Sequence, residues 1–297
     1  MYDVVVIGGG PAGMSAALVL GRGRKNVMMV DEEKPRNRVT HESHAFLTRD
    51  GTAPAVFREK GRRDLNKYPS ITIEKDRVLS IEKTAESFFE LKLSSAKLVE
   101  TRRVVLATGL SEDLPDVDGI HSYYGKSIFS CPFCDGWEMR DQPLVIIAET
   151  EQSLHLLKLV RNWSDDIIIA TNGKGIFTAE DKQTLNTKNI TVIEEKIEKL
   201  NGSKGKLKSV VFKDGKVIER SGGFCTTSLS DKTPFINQLN LEVNETGFVK
   251  ADGMGRTSVK GIYAAGEISG PSQLIVSASQ GHMKGAGIIV EDSDGLF

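Results

Sequence analysis

Two cysteines three positions apart carry the most direct chemical signal in the chain: Cys131-Pro132-Phe133-Cys134. At a helix start, a Cys-x-x-Cys pair can close into a strained, reducible disulfide, and the helix N-terminus favours the thiolate of one sulfur at neutral pH. Zinc would need two more Cys or His ligands at comparable spacing. Only Cys225 remains, and His155 stands alone, so no metal site is expected. A pair of unreactive structural thiols is the third reading. The second signal is Gly8-Gly9-Gly10-Pro11-Ala12-Gly13, which fits GxGxxG. Its first glycine permits a tight turn, the second lets backbone approach a pyrophosphate, and the third packs helix on sheet. Asp31 follows 23 residues after Gly8, where a carboxylate can accept from a ribose 2′-hydroxyl.

These residues need particular elements to hold them. Tyr2 to Ile7 is a β-branched run ending in glycines, Ala12 to Leu20 reads as a helix, and Val27 to Val30 is a second apolar run that closes on Asp31. Strand, glycine turn, helix, strand and acid together make a dinucleotide-binding βαβ unit. The rhythm returns with a Pro143–Ala148 strand, a Ser153–Trp163 helix and an Ile167–Ala170 strand. The fold class expected is therefore α/β, with two Rossmann-like dinucleotide-type domains. Val104 to Leu106 is a buried-type strand running into Ala107-Thr108-Gly109, and Gly261–Gly266 is strand-like before a small-residue helix over Gln273–Val290.

Composition narrows the function classes. The 297 residues suit two domains at about 150 residues each. Lys and Arg number 39 against 40 Asp and Glu, so no global field favours nucleic acid or an anionic membrane. Three cysteines, two of them in one motif, do not make an extracellular disulfide framework. Val4 to Gly21 is largely apolar, but Asp3 precedes it and Gly8–Pro11 would break a spanning helix. The chain reads as a cytoplasmic protein without a targeting segment.

Over essentially its whole length the sequence resembles the thioredoxin-reductase-like flavoproteins. The resemblance rests on Gly8–Gly13, Arg103–Gly109, Cys131–Glu138 and Gly261–Gln273. It implies a discontinuous FAD-binding domain over 1–115 and 245–297, with the second nucleotide-type domain, 116–244, inserted and carrying the redox pair. It implies FAD as cofactor, with the AMP half held by Gly8, Gly10, Pro11, Ala12, Gly13 and Asp31. Ala107, Thr108 and Gly109 match the second flavin motif, and Gly266 with Glu267 the third, where the family usually has Asp. Gln273 and Leu274 match contacts to the isoalloxazine ring; Asn37, His44 and the backbone at Val78 are further carry-overs. In the same terms Cys134 faces the flavin, Cys131 exchanges with a thiol or disulfide substrate (a small dithiol or a thioredoxin-like protein), and Asp135 shuttles the proton. A homodimer is implied as well.

One stretch departs from the family. The second βαβ turn reads Ala148-Glu149-Thr150-Glu151-Gln152-Ser153, with no glycine and two carboxylates where phosphates would lie. At an effective dielectric of 20, like charges about 4 Å apart repel by roughly 4 kcal/mol. The family's basic His-Arg-Arg cluster is replaced by Ala170-Thr171-Asn172-Gly173-Lys174, leaving Lys174 as the one local cation. The expected function is an FAD-dependent dithiol/disulfide oxidoreductase that does not draw on NADPH, with oxygen accepting electrons from a substrate dithiol. The alternatives are a disulfide reductase driven by ferredoxin or NADPH, and a flavin redox sensor or binding module. Arg58, Lys60, Arg62 and Arg63, with Arg22, Arg24 and Lys25, could dock an acidic carrier; a solvated helix face is the preferred reading. Cys225 reads as a small buried hydrophobe, and Asp292–Phe297 as a tail.

Overall fold

The computed structural model describes residues 1–85, 88–150 and 153–294. Their contacts divide the chain into two units. The first comprises 1–38, 54–111 and 229–297; the second comprises 39–53 and 112–228.

In chain order, the first unit begins with β1 (Tyr2–Ile7), α1 (Pro11–Arg22), β2 (Val27–Val30), α2 (Pro54–Leu65), β3 (Ile71–Glu74), β4 (Val78–Ala85), β5 (Phe88–Leu93) and β6 (Leu98–Leu106). After β7 (Ser111–Asp113) the second unit adds α3 (Ile120–Tyr123), β8 (Ile128–Phe129), α4 (Pro132–Asp135), β9 (Leu144–Ile147), α5 (Ser153–Val160), β10 (Ile167–Ala170), α6 (Ala179–Thr187) and β11 (Thr191–Ile193). It ends with β12 (Ile197–Ser203), β13 (Lys206–Phe212), β14 (Val217–Glu219) and β15 (Gly222–Cys225). Following β16 (Ser228–Ser230), the chain completes the first unit with α7 (Phe235–Gln238), β17 (Ile262–Ala264) and α8 (Leu274–Asp294).

The first unit's sheet runs β3-β2-β1-β6-β5-β4, with β17 also paired to β6. Its nucleotide-type half is parallel: Val4 lies opposite Val27 and Arg103, and Tyr263 opposite Val105. Val4, Val5 and Val6 are fully buried, as expected for strands covered on both faces. The crossover helix α1 packs against α8 at glycines. A Cβ on Gly281 would sit 1.9 Å from the Ala12 carbonyl oxygen, and one on Gly285 2.9 Å from that of Ala16.

The second unit holds a parallel sheet, β11-β10-β9-β15-β8, and an antiparallel sheet, β12-β13-β14. Leu144–Ile147 and Ile167–Ala170 are buried throughout. The division places the return to the first unit at 228/229, earlier than the 244/245 boundary read from sequence. The reason is packing: Phe235, Leu239, Leu241 and Val249 belong to the same core as Val5, Leu91 and Ile262. A second difference is that 39–53, which the sequence assigns to the FAD-binding part, makes its contacts within the second unit.

Candidate active site

Cys131 caps the one-turn helix α4, and Pro132 occupies its first position, where a missing N–H costs nothing. The Cys134 and Asp135 N–H groups donate to the Cys131 carbonyl at 3.1 and 3.2 Å. This turn sets the two Cα atoms 5.3 Å apart, and the sulfurs are joined in a disulfide. The sequence reading places the pair at the start of a helix that stabilises a thiolate. With four residues α4 has few aligned peptide dipoles, so the help for a Cys131 or Cys134 thiolate is smaller than a full helix would give. Phe133 and Trp137 remain exposed beside the pair.

Asp135 follows Cys134 directly. Burial pushes its carboxyl up to about 7; His44 works against that rise and Glu138 adds to it. A proton carrier operating near neutral pH needs this range. His44 belongs to the second unit, and its Nε2 is 3.7 Å from Glu138 Oε1 and 3.8 Å from Glu42 Oε2. Its Nδ1 is 3.7 Å from Asp50 Oδ1. Behind the disulfide, Ser130 Oγ lies 2.8 Å from Tyr124 Oη and donates to Glu112 Oε1 at 3.1 Å. Burial pushes the Cys225 thiol well up, and its sulfur is inert on that account.

In the first unit, the glycine loop, the end of β6 and the start of the 3-10 turn Gly266–Ser269 converge. Gly8 has φ 110°, and a Cβ there would meet the Ala107 carbonyl oxygen at 2.2 Å. Gly13 is tighter still, 1.8 Å from the Gly8 oxygen, and a Cβ on Gly266 would lie 2.8 Å from that of Ala12. At Gly10, by contrast, a Cβ would meet nothing within 4 Å. Pro11 opens α1 and Ala12 is buried in its first turn. Thr108 Oγ1 is buried without a partner among the described residues. Crowded turns, an open helix start and an unsatisfied hydroxyl at the carboxyl ends of β1 and β6 fit a dinucleotide.

Asp31 is nearly buried; its Oδ2 accepts from Arg62 Nη2 at 2.8 Å and its Oδ1 from the Glu33 N–H at 3.1 Å. Each oxygen keeps a lone pair for a ribose hydroxyl. Glu267 accepts from Arg36 Nη2 at 2.6 Å and approaches Gly109, whose φ is 69°. Asn37 lies in the 3-10 turn Arg36–Val39, Val78 opens β4, and Gln273 immediately precedes Leu274, the first residue of α8. Arg36 and Arg62 went unread as site residues, because only the folded chain shows which carboxylates they hold. The commitment of Arg62 and of Lys25 also thins the basic face considered for docking. Arg62 bridges Asp31 and Glu33, and Lys25 pairs with Asp292 at 2.5 Å.

At the second βαβ turn, Ala148 is fully buried and Glu149 Oε1 accepts from Asn172 Nδ2 at 2.6 Å. Asn172 is itself fixed, because its Oδ1 accepts the Ile197 N–H at 3.1 Å. Ser153 caps the turn by donating to the Thr150 carbonyl at 2.6 Å. Lys174 is exposed; Glu151 and Gln152 lie outside the described residues, as does Phe297.

Paired Rossmann-type sheets, a dinucleotide cradle and a Cys-x-x-Cys disulfide with a neighbouring acid define a flavin-dependent disulfide oxidoreductase. The family model for pyridine nucleotide-disulphide oxidoreductases matches residues 2–281, and the chain belongs to that family. A solved structure from Bacillus anthracis, named as the thioredoxin reductase TrxB, is 46% identical with a TM-score of 0.97, covering 100% of both chains. HlmI is 32% identical with a TM-score of 0.94, over 99% of this chain and 94% of its own. A fungal thioredoxin reductase from Aspergillus oryzae, aclD, is 27% identical over 97% of this chain and 96% of its length. The protein is an FAD-binding enzyme that acts on thiols and disulfides.

Proposed function

We propose that the enzyme oxidises a substrate dithiol and does not take electrons from NADPH. One observation carries this reading: Glu149 stands where a nucleotide loop needs glycine, and Asn172 holds it there at 2.6 Å. A fixed carboxylate opposes a pyrophosphate, and the buried Ala148 before it denies the backbone the close approach that glycine gives. When bound, FAD supplies a two-electron acceptor for the dithiol and an outlet to oxygen. The net change is dithiol plus oxygen to disulfide plus hydrogen peroxide.

The residues divide the work. Cys131 meets the substrate sulfur, Cys134 exchanges electrons with the flavin, and Asp135 carries the proton that the exchange releases. Gly8, Gly10 and Gly13 present α1 to the cofactor's phosphates, Asp31 takes the ribose, and Thr108 and Glu267 serve the remainder. The same reading takes the working form to be a homodimer in the cytoplasm; sedimentation of the purified protein tests the dimer.

The experiment is anaerobic. The yellow protein is mixed in turn with NADPH, NADH, reduced ferredoxin and dithiothreitol while the visible flavin band is followed. Bleaching by the dithiol alone, reversed by air and absent in Cys134→Ser with flavin still bound, is the expected outcome. Rapid bleaching by NADPH overturns the reading of Glu149, and bleaching by ferredoxin alone makes the enzyme a reductase.

A further inference from the structure

The segment 39–53 folds into a closed loop within the second unit. Ser43 and Thr52 form an antiparallel bridge, the Ser43 N–H donating to the Thr52 carbonyl at 2.9 Å. The Arg49 N–H returns to the Phe46 carbonyl at 2.8 Å, and Asp50 Oδ1 accepts from the Ala45 N–H at 2.8 Å. The loop is seated on the unit at Gly125, whose Cβ position would be 2.7 Å from the Val39 carbonyl oxygen. Its product is one placed side chain. The His44 imidazole, 17% exposed, stands within ion-pair reach of Glu42 and Asp50 from the loop and of Glu138 from the turn after α4. Those separations, 3.7 to 3.8 Å, are longer than hydrogen bonds, so the coupling is electrostatic. Glu138 also keeps Oε2 buried without a partner among the described residues. The groups acting on Asp135 are His44 and Glu138, of opposite sign.

We propose that His44 is a positioning residue of the thiol–disulfide exchange: the 39–53 loop sets its imidazole among Glu42, Asp50 and Glu138, the last of these on the turn that follows the Cys131–Cys134 helix, and through that cluster it acts on the neighbouring proton carrier Asp135. The proposal rests on Asp135 as the proton carrier. In the exchange a substrate thiol gives its proton to ionised Asp135, its sulfur bonds to Cys131 Sγ, and the Cys131–Cys134 bond breaks with Cys134 leaving as thiolate. The second substrate sulfur then displaces Cys131 Sγ and closes the substrate disulfide. Its proton goes to Cys134, and the proton on Asp135 goes to Cys131. Two electrons have moved from substrate to the two cysteine sulfurs, and every proton is placed. Only the ionised carboxylate can start this sequence, so a cation that favours ionisation widens the working range toward lower pH.

The test uses the holoenzyme, anaerobic dithiothreitol, an acid quench and alkylation, with the mass of the alkylated chain reporting reduction of Cys131–Cys134 between about pH 5 and pH 9. His44→Gln is expected to move the acid limb of the rate to higher pH and to slow exchange at neutral pH roughly tenfold, less than the roughly 10²–10⁴-fold that loss of the acid–base group itself would cost. His44→Lys restores the limb by restoring a cation, whereas Glu138→Gln moves it to lower pH. A merely structural role would alter flavin retention and melting but leave the limb in place. An unmoved limb in His44→Gln overturns the proposal, whatever Glu138→Gln does. Asp135→Asn separates the layers: if it keeps the limb, the Asp135 assignment fails. If it abolishes the limb while His44→Gln leaves it unmoved, only the His44 proposal fails.

Discussion

The two strand–turn–helix units of this chain treat the same geometric position in opposite ways. After β1 the backbone turns through Gly8 at φ 110°, and α1 begins at an open Gly10. After β9 the turn begins with buried Ala148, and the next residue, Glu149, has its carboxylate tied to Asn172. Both strands end in four consecutive buried aliphatic residues, both sheets are parallel at this point, and both helices bury an apolar face. The difference lies in residues at the strand's carboxyl end, which fold stability does not dictate. A Rossmann unit can therefore keep its core and lose its ligand, because the core and the cradle are built from separate residues.

That contrast can be broken most forcefully at Gly13. Gly13→Ala would put a Cβ 1.8 Å from the Gly8 carbonyl oxygen, which no side-chain rearrangement can relieve. The variant is expected to purify without flavin and to lose more than about 4 kcal/mol of stability. Thr150→Ala, in the corresponding turn of the second unit, should leave flavin content and melting near those of the parent.

A smaller effect probes what the second unit keeps in place of a nucleotide. Asp135 has its folded-state value raised from 3.8 to about 7, so the folded protein binds its proton more tightly than the unfolded chain does. The contribution of Asp135 to stability is therefore fully present below about pH 4, falls as pH rises between these values, and is lost above them. Full expression of the shift would correspond to roughly 4 kcal/mol, reduced by solvent because the side chain is only half-buried. Asp135→Asn should raise the melting temperature at pH 8 and change it little at pH 4. Equal effects at the two pH values would contradict the sign.

The smallest effect sharpens the comparison at its centre. Glu149→Gly removes one acceptor from Asn172 and should cost about 1–2 kcal/mol in thermal or urea unfolding. It restores a single glycine but no basic partner, since Asn172 and exposed Lys174 occupy that end of β10. NADPH should still fail to bleach the flavin of this variant. Bleaching would show that Glu149 alone closes the site.

Much of this was legible from residue order. Val4–Val6 and Val27–Val30 have no polar positions, so they read as buried parallel strands, and Gly8–Gly13 marks the turn between sheet and helix. The Cys131–Cys134 spacing fixes its own local geometry, because one helical turn brings the two sulfurs together. What failed to show was pairing across long separations. His44 and Glu138 lie far apart in sequence, and nothing in the spelling of 39–53 reveals that the loop packs on Gly125 of the second unit. The resemblance offers His44 as a cofactor contact, and residue order gives no sign that Glu42, Asp50 and Glu138 gather around its imidazole. The 228/229 boundary was hidden for a similar reason: Phe235, Leu239 and Leu241 are apolar in either unit, and only packing decides which core they enter.

The glycine crossing of α1 and α8 also has a consequence for how the protein is made. Ala12 and Ala16 need Gly281 and Gly285, which follow them by more than 260 residues, and β17 takes its place beside β6 only when residues 262–264 exist. During synthesis the first unit must wait, its sheet short of a strand and α1 short of its partner, until Gly285 has left the ribosome. The second unit, complete once residue 228 has emerged, has everything it needs much sooner. The domain that begins first is thus the one that finishes last, and its unfinished apolar face is the part of the nascent chain most in need of protection.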